Sequence, residues 1–79
     1  MAYYEKKNKE YIIETELPSG ARFFVFGGTY KFGKDKYARL TSRANEAKRY
    51  GRKGVAISAG NRLIKNCINI KSFQIQEVT

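Results

Sequence analysis

The stretch that decides the fold is residues 11–26, YIIETELPSGARFFVF. Residues 11–17 alternate in polarity, which predicts a strand with Ile13 and Thr15 on one face and a solvated opposite face. The next residues are Pro18-Ser19-Gly20, in which proline presets φ for a type I turn and glycine accepts a positive φ. Residues 11–26 therefore predict a β-hairpin.

The second strand of this hairpin is apolar on both faces. Phe24 and Phe26 share one face, and the side chains beside them share the other, so both faces are buried or one meets another molecule. Because phenylalanine in the central strand of a small protein is usually buried, we expect Phe24 and Phe26 in the core. The alternative is an aromatic strand that stacks on bases, as in RNA-recognition and cold-shock domains, but the strand order does not match theirs.

Beyond Phe26 the pattern changes from strands to helices and back. In order it predicts a bulge at Gly27-Gly28, more strand at 29–32, a turn at 33–36, a third strand at 37–41, a helix at 43–50 capped by Ser42, a second helix at 54–65, and a strand at 68–78 with a bulge near Lys71-Ser72. The predicted fold class is α+β. It has an antiparallel sheet of three to four strands in the order β-β-β-α-α-β, with one or two short helices packed on one face.

Length and composition exclude several function classes. At 79 residues we expect a single small basic domain over residues 1–79, with residues 1–9 frayed. The chain has no histidine and one cysteine, Cys67, which excludes histidine triads, an intramolecular disulfide and multi-cysteine zinc sites. The seven acidic residues are scattered, so we expect no enzyme activity and no cofactor. We also expect no membrane association and a cytoplasmic location.

The net charge of +9 is concentrated in the middle of the chain. Residues 21–65 hold twelve basic and two acidic side chains, a net charge of +10, whereas residues 1–20 sum to −1 and residues 66–79 to zero. Such a concentration destabilises the compact monomer by self-repulsion, and a polyanion relieves it. The alternative is a solvated basic surface without a partner.

The candidate nucleic-acid-binding residues are the basic side chains of the densest stretch together with Tyr37, one of three tyrosines, Tyr30, Tyr37 and Tyr50, that are interleaved with them. The candidates are Lys31, Lys34, Lys36, Tyr37, Arg39, Arg43, Lys48, Arg49, Arg52 and Lys53. Arginine suits phosphates and stacks on unpaired bases, and the mixture indicates recognition of backbone and shape. We expect Lys36, Arg39, Arg43, Arg49 and Arg52 on one continuous face. For Lys48 and Arg49, a favourable interaction with a helix C-terminus is an alternative explanation.

Residues 28–34, GTYKFGK, have the spacing of a phosphate-binding loop, G-x-x-x-x-G-K. Asp35 stands where Ser or Thr would hold magnesium, and strands rather than a long helix surround the motif. A glycine bend followed by a hairpin turn accounts for the same residues, so nucleotide hydrolysis is disfavoured.

Residues 40–50, LTSRANEAKRY, follow the hairpin and precede a helix and a closing Ile/Val strand. This layout resembles small accessory proteins of bacteriophages, in which a hairpin is followed by an N-E-A-K-R-[FY] helix start, here Asn45 to Tyr50, and a closing strand. The resemblance implies a counter-defence factor. Some such proteins are anti-CRISPR proteins that bind effector complexes, and one basic toxin–antitoxin inhibitor of T-even-type phages works through RNA. The resemblance assigns no binding residue in this chain.

Two functional hypotheses follow. The first is a non-enzymatic nucleic-acid-binding protein, with RNA favoured over DNA, that antagonises a host toxin or nuclease; a homodimer would double its basic surface. The second is a protein-binding inhibitor of a host defence enzyme that docks its basic face or edge strand. A stability or assembly factor of a phage operon is a third, less specific reading.

Overall fold

The structure, a computed structural model, describes residues 9–78. Its elements in chain order are the strands β1 (Glu10–Glu16), β2 (Arg22–Phe32) and β3 (Asp35–Thr41), a 3-10 turn (Ala44–Glu46), the helix α1 (Lys53–Asn66) and the strand β4 (Ser72–Val78). The α+β class is confirmed. The order β-β-β-α-α-β is wrong by one helix, because the described residues form a single α-helix. Fraying was predicted for residues 1–9, of which all but Lys9 lie outside the described residues.

The sheet is open and antiparallel, with its strands in the order β3-β2-β1-β4. The predicted hairpin is confirmed, since Gly20 adopts a φ of 93° and donates its N–H to the Leu17 carbonyl at 2.8 Å. A second positive-φ glycine, Gly33, lies in the β2–β3 turn. Residues 28–34 are therefore strand and turn, as expected, and do not form a phosphate-binding loop.

The helix predicted over residues 43–50 is wrong, and the sheet explains why. β2 pairs with β1 only over Arg22–Phe24, and its register against β3 then shifts between Val25 and Thr29. The segment that follows the 3-10 turn fills the resulting gap in extended conformation. There Lys48 donates its N–H to the Val25 carbonyl at 2.9 Å, and Tyr50 exchanges two backbone hydrogen bonds with Tyr11. A helix would leave these groups unpaired.

The final strand is shorter than predicted and has no bulge. β4 begins at Ser72 and pairs with β1 in unbroken register, from Glu16–Ser72 to Glu10–Val78. Ile68 and Ile70 lie in the preceding loop, where Ile70 is buried. The change of apolar phase that suggested a bulge therefore marks the boundary between loop and strand.

The core lies between α1 and one face of the sheet. Ile13, Val25 and Ala56 are buried at its centre, with Leu63 and Phe73 packed against them. α1 approaches the sheet closely because it presents Ala56 and Gly60 to it, and the Phe73 ring occupies the space that a side chain at Gly60 would fill. The helix predicted at 54–65 is thus confirmed to within one residue at each end.

The distal face of the sheet, defined as the face opposite α1, holds Phe24 and Phe26, which were expected in the core. Phe24, paired with Glu14, is half-buried there. Val25 is 1% exposed on the α1 side, whereas Phe26 is 49% exposed. The narrow space beneath the alanine- and glycine-rich helix surface accepts valine at this register, and the larger rings turn outward. The distal face is not uniformly exposed to solvent. Ile12, which was expected to be exposed there, is 1% exposed.

The edge of the sheet at β3 is covered by the side chain of one loop residue. The Asn69 amide accepts a hydrogen bond from the Ala38 N–H at 3.0 Å and donates one to the Ala38 carbonyl at 3.2 Å. A side chain thus takes the place of a neighbouring strand and closes this part of the edge to pairing with another chain. Within residues 9–78, no helix is both long enough and apolar enough to cross a membrane.

Candidate nucleic-acid interface

Exposed aromatic rings lie on the distal face of the β2–β3 hairpin. Phe26, Tyr30 and Phe32 are 49%, 47% and 75% exposed. The rings of Tyr30 and Tyr37, paired across the two strands, stack with centroids 5.4 Å apart and an interplanar angle of 15°. We call Phe26, Tyr30, Phe32 and Tyr37 the aromatic row. Exposed rings of this kind offer flat apolar surfaces that the fold does not use.

The register of β2 sets this arrangement. Alternation along a strand places Tyr30 and Phe32 on one face, about 6.8 Å apart. The irregularity after Val25 contains Gly27 and Gly28, both with positive φ, so the predicted bulge is confirmed. At Gly28 a Cβ would lie 3.8 Å from Cδ of Arg39, which places the arginine stem beside the bulge and next to the aromatic row.

Lysines surround the tip of the same hairpin. Lys31 and Lys36 are directly opposite each other across β2 and β3, and Lys34 is exposed in the turn between them. Like charges placed directly opposite in a sheet destabilise it. Asp35 is the one acidic residue in this tip, and no described carboxylate lies within ion-pair distance of the three lysines. The tip therefore carries a net positive charge that an anionic ligand would neutralise.

The candidate residues, including the five expected on one continuous face, are divided between the two faces of the sheet. Tyr37 and Arg39 lie on the distal face, as strand alternation predicted, and Arg49 reaches Glu10 on that face. Of the other candidates, Lys34 lies in the hairpin turn and Arg43 lies just before the 3-10 turn. The rest lie on the α1 side: Lys31, Lys36, Lys48, Arg52 and Lys53. The expectation of a single surface is wrong for two reasons. Alternation along β3 places Lys36 and Arg39 on opposite faces, and the extended segment that replaces the first helix separates Lys48 from Arg49 in the same way.

Two of the predicted arginines are paired within the protein. Arg49 lies 3.0 Å from a carboxylate oxygen of Glu10, and Arg43 lies 3.7 Å from one of Glu46. Exposed pairs of this kind contribute little to stability, but each reduces the positive potential available to a ligand. Among residues 9–78, Arg39 and the lysines of the hairpin tip are thus the basic residues of the β2–β3 hairpin beside the aromatic row that form no ion pair.

A separate groove lies on the α1 side, between the helix and the gap in the sheet. Its volume is about 730 Å³. The basic side chains that line it are Lys48, Arg52 and Arg62. Lys48 holds its ammonium 5.6 Å from the centroid of the Tyr50 ring, a cation–π contact. The dipole explanation for Lys48 does not apply, since no helix ends there.

Two groups on the α1 side of the sheet, Tyr50 and Cys67, have raised pKa values. Burial raises the pKa of the Tyr50 hydroxyl, and the nearby Arg62 guanidinium opposes part of that rise. Burial also raises the pKa of the Cys67 thiol, an effect that Lys36 partly opposes. Both groups therefore stay protonated and neutral at physiological pH, and Cys67 is the buried apolar residue that its sequence context predicted.

Sequence reasoning missed Phe32 and Arg62 as functional candidates, and it placed Phe26 in the core. The signal for the aromatic residues was present in β2, whose apolar side chains on both faces left one face without a partner. Arg62 gave no such signal, because it lies nine positions after Lys53, outside the densest basic stretch. It lines the same groove as Arg52 only because α1 packs beside the gap in the sheet.

The described residues contain no group of three or more Cys, Asp or Glu side chains placed to hold a metal ion. Comparisons of the chain with protein-family models, with curated proteins and with solved structures find no match. The resemblance to bacteriophage accessory proteins therefore remains a prediction that depends on residues 45–50, which form a 3-10 turn and an extended segment rather than a helix start.

Proposed function

We propose that the chain binds single-stranded nucleic acid, RNA in preference to DNA, on the distal face of the β2–β3 hairpin. The observation that carries the proposal is the aromatic row beside Arg39. Bases of a single strand stack on such rings, while arginine and lysine contact the phosphates. Phe32, the most exposed ring, and the stacked pair of Tyr30 and Tyr37 are the residues to which we assign base stacking.

The charge of the hairpin supports the same function. Arg39 and the three tip lysines carry four positive charges against the single negative charge of Asp35. Of these, Arg39 lies on the distal face and Lys34 in the turn, where both can contact phosphates of a bound strand, while Lys31 and Lys36 add positive potential from the α1 side. The β1–β4 half of the distal face is acidic and polar, since Glu14 there accepts hydrogen bonds from Gln74 and Gln76. A nucleic acid is therefore confined to the β2–β3 half.

A protein of this kind acts by occupying RNA, without an enzymatic step of its own. In the role that the phage resemblance implies, it covers an RNA that a host toxin or nuclease would otherwise use. The rings read stacking surfaces, which every base offers, so binding tolerates many sequences. Duplex RNA presents no unstacked bases and is the weaker ligand.

The test is the affinity for a mixed-sequence single-stranded RNA between 50 and 200 mM salt. Two phosphate contacts, at Arg39 and Lys34 and each with a slope near −0.7, predict a loss of roughly sevenfold over this range. Arg39→Gln should reduce the magnitude of the slope by about 0.7. The matched control is Lys65→Gln, which removes one charge from the last turn of α1, across the sheet from the aromatic row, and should leave the slope unchanged.

Three results of this experiment would count against the proposal. The first is an affinity that does not change with salt, and the second is equal affinity for duplex and single strand. The third is a self-associated protein that dissociates when the aromatic row is altered and whose RNA affinity stays the same, which would make the row a homodimer contact. Capture of a host protein that survives nuclease treatment, with no RNA affinity, would favour the protein-binding inhibitor.

A further inference from the structure

We infer that the groove on the α1 side is a second, independent site that binds a nucleoside phosphate. It lies on the opposite side of the sheet from the aromatic row. The groove is bounded by β2 at the bulge, by the segment that includes Lys48 and Tyr50, and by one side of α1 from Gly54 to Leu63. A volume of about 730 Å³ is in the range of small-molecule sites.

The charge of the groove selects an anion. Lys48, Arg52 and Arg62 line it, no Asp or Glu does, and within residues 9–78 no carboxylate is within ion-pair distance of the three. Two guanidinium groups provide planar, bidentate donors that match phosphate oxygens, and the ammonium adds a point charge. Three positive charges balance the two or three negative charges of a nucleoside mono- or diphosphate.

The rest of the lining selects the body that carries the phosphate. Val55, Ala59 and Leu63 provide an apolar surface, and Thr29 and Ser58 also line the groove with their hydroxyls. An inorganic phosphate would leave the apolar surface unused. An acyl chain would bury the two hydroxyls without partners, which is unfavourable. A nucleoside matches both, because its base covers apolar surface and its ribose offers hydroxyls for hydrogen bonding.

This site does not depend on the spacing of a phosphate-binding loop. Gly28 and Thr29 line the groove, but the residues after them continue as strand to Phe32. The phosphate would be held by the side chains from residues 48–62 and not by a glycine loop. The ligand is either a free nucleotide or the 5′-phosphorylated end of an RNA strand, which have the same chemistry.

The experiment is calorimetric titration of the full chain with ADP, with adenosine, inorganic phosphate and dodecyl phosphate as comparisons. ADP should bind at least about tenfold more tightly than any of the three. Arg62→Gln should raise the Kd for ADP by about tenfold or more, since it removes a charge-assisted contact. Lys65→Gln, on the same helix outside the groove, should change it by less than about twofold. Circular dichroism establishes that both variants retain the fold.

Two further arms separate this site from the aromatic row and identify the source of the ligand. Phe32→Ala should leave ADP binding unchanged, so loss of RNA affinity with retained ADP binding would leave the groove standing alone. A 5′-phosphorylated oligonucleotide that competes with ADP, where its 5′-hydroxyl counterpart does not, would identify an RNA end. The inference is overturned if ADP binds no better than phosphate or adenosine, if dodecyl phosphate binds more tightly, or if Phe32→Ala abolishes ADP binding and Arg62→Gln does not.

Discussion

Gly60→Ala is expected to lower the free energy of unfolding by about 2 kcal/mol, although alanine favours helix by about 1 kcal/mol over glycine. A Cβ at Gly60 would lie 2.6 Å from Cδ2 and Cζ of Phe73. The ring belongs to the core that joins α1 to β1 and β4, so it cannot move away without opening that packing. For a chain of this size we expect the Tm to fall by roughly 10 °C.

Gly54→Ala is the matched control, because no atom lies within 4 Å of a Cβ at that position. It should leave stability unchanged or raise it by up to about 1 kcal/mol. The double variant Gly60→Ala/Phe73→Leu should lose less stability than the sum of the two single changes. If Gly60→Ala stabilised the protein as Gly54→Ala does, the close packing of α1 on β4 would be wrong.

Removing two rings from the aromatic row is expected to have the largest effect on binding. Stacking contributes about 1–3 kcal/mol per base, so Tyr30→Ala/Phe32→Ala should raise the Kd for single-stranded RNA by at least about 30-fold. The measurement is fluorescence anisotropy with a labelled oligonucleotide at fixed salt. Neither residue is in the core clusters, so the variant should fold, as thermal unfolding would verify.

Two single substitutions strengthen this comparison. Phe32→Ala alone, at the most exposed ring, should raise the Kd about fivefold or more without changing the Tm. Ile57→Ala removes a comparable exposed apolar side chain from α1 and should leave RNA affinity unchanged. Equal effects of Ile57→Ala and Phe32→Ala would contradict the assignment of base stacking to the hairpin.

The features that could be predicted from the sequence are local ones. The β1–β2 hairpin followed from Pro18 and Gly20 between two apolar segments, and α1 followed from helical spacing, despite its two glycines. In the sequence, Gly60 weakens the predicted helix. In the structure, its lack of a side chain leaves space for the Phe73 ring. Only the packing of α1 on β4, which lies farther along the chain, gives that glycine its role.

The features that could not be predicted depend on pairing between distant parts of the chain. Residues 43–50 have helical character, but the unpaired edge of β1 and the Val25 carbonyl draw Lys48 and Tyr50 into an extended conformation. The same pairing places Arg49 on the distal face, away from Arg52 on the α1 side. The outward direction of Phe26 depends on which face α1 covers, and alternation along β2 does not specify that.

The central claim is that single-stranded RNA lies on the distal face of the β2–β3 hairpin. The most direct test is nuclear magnetic resonance mapping of backbone amide and aromatic side-chain signals during titration with a short single-stranded RNA. We expect the largest shifts at Phe26, Tyr30, Phe32, Tyr37 and Arg39, with little change along β4. Shifts concentrated on α1 or on β4, with the aromatic row unaffected, would contradict the account.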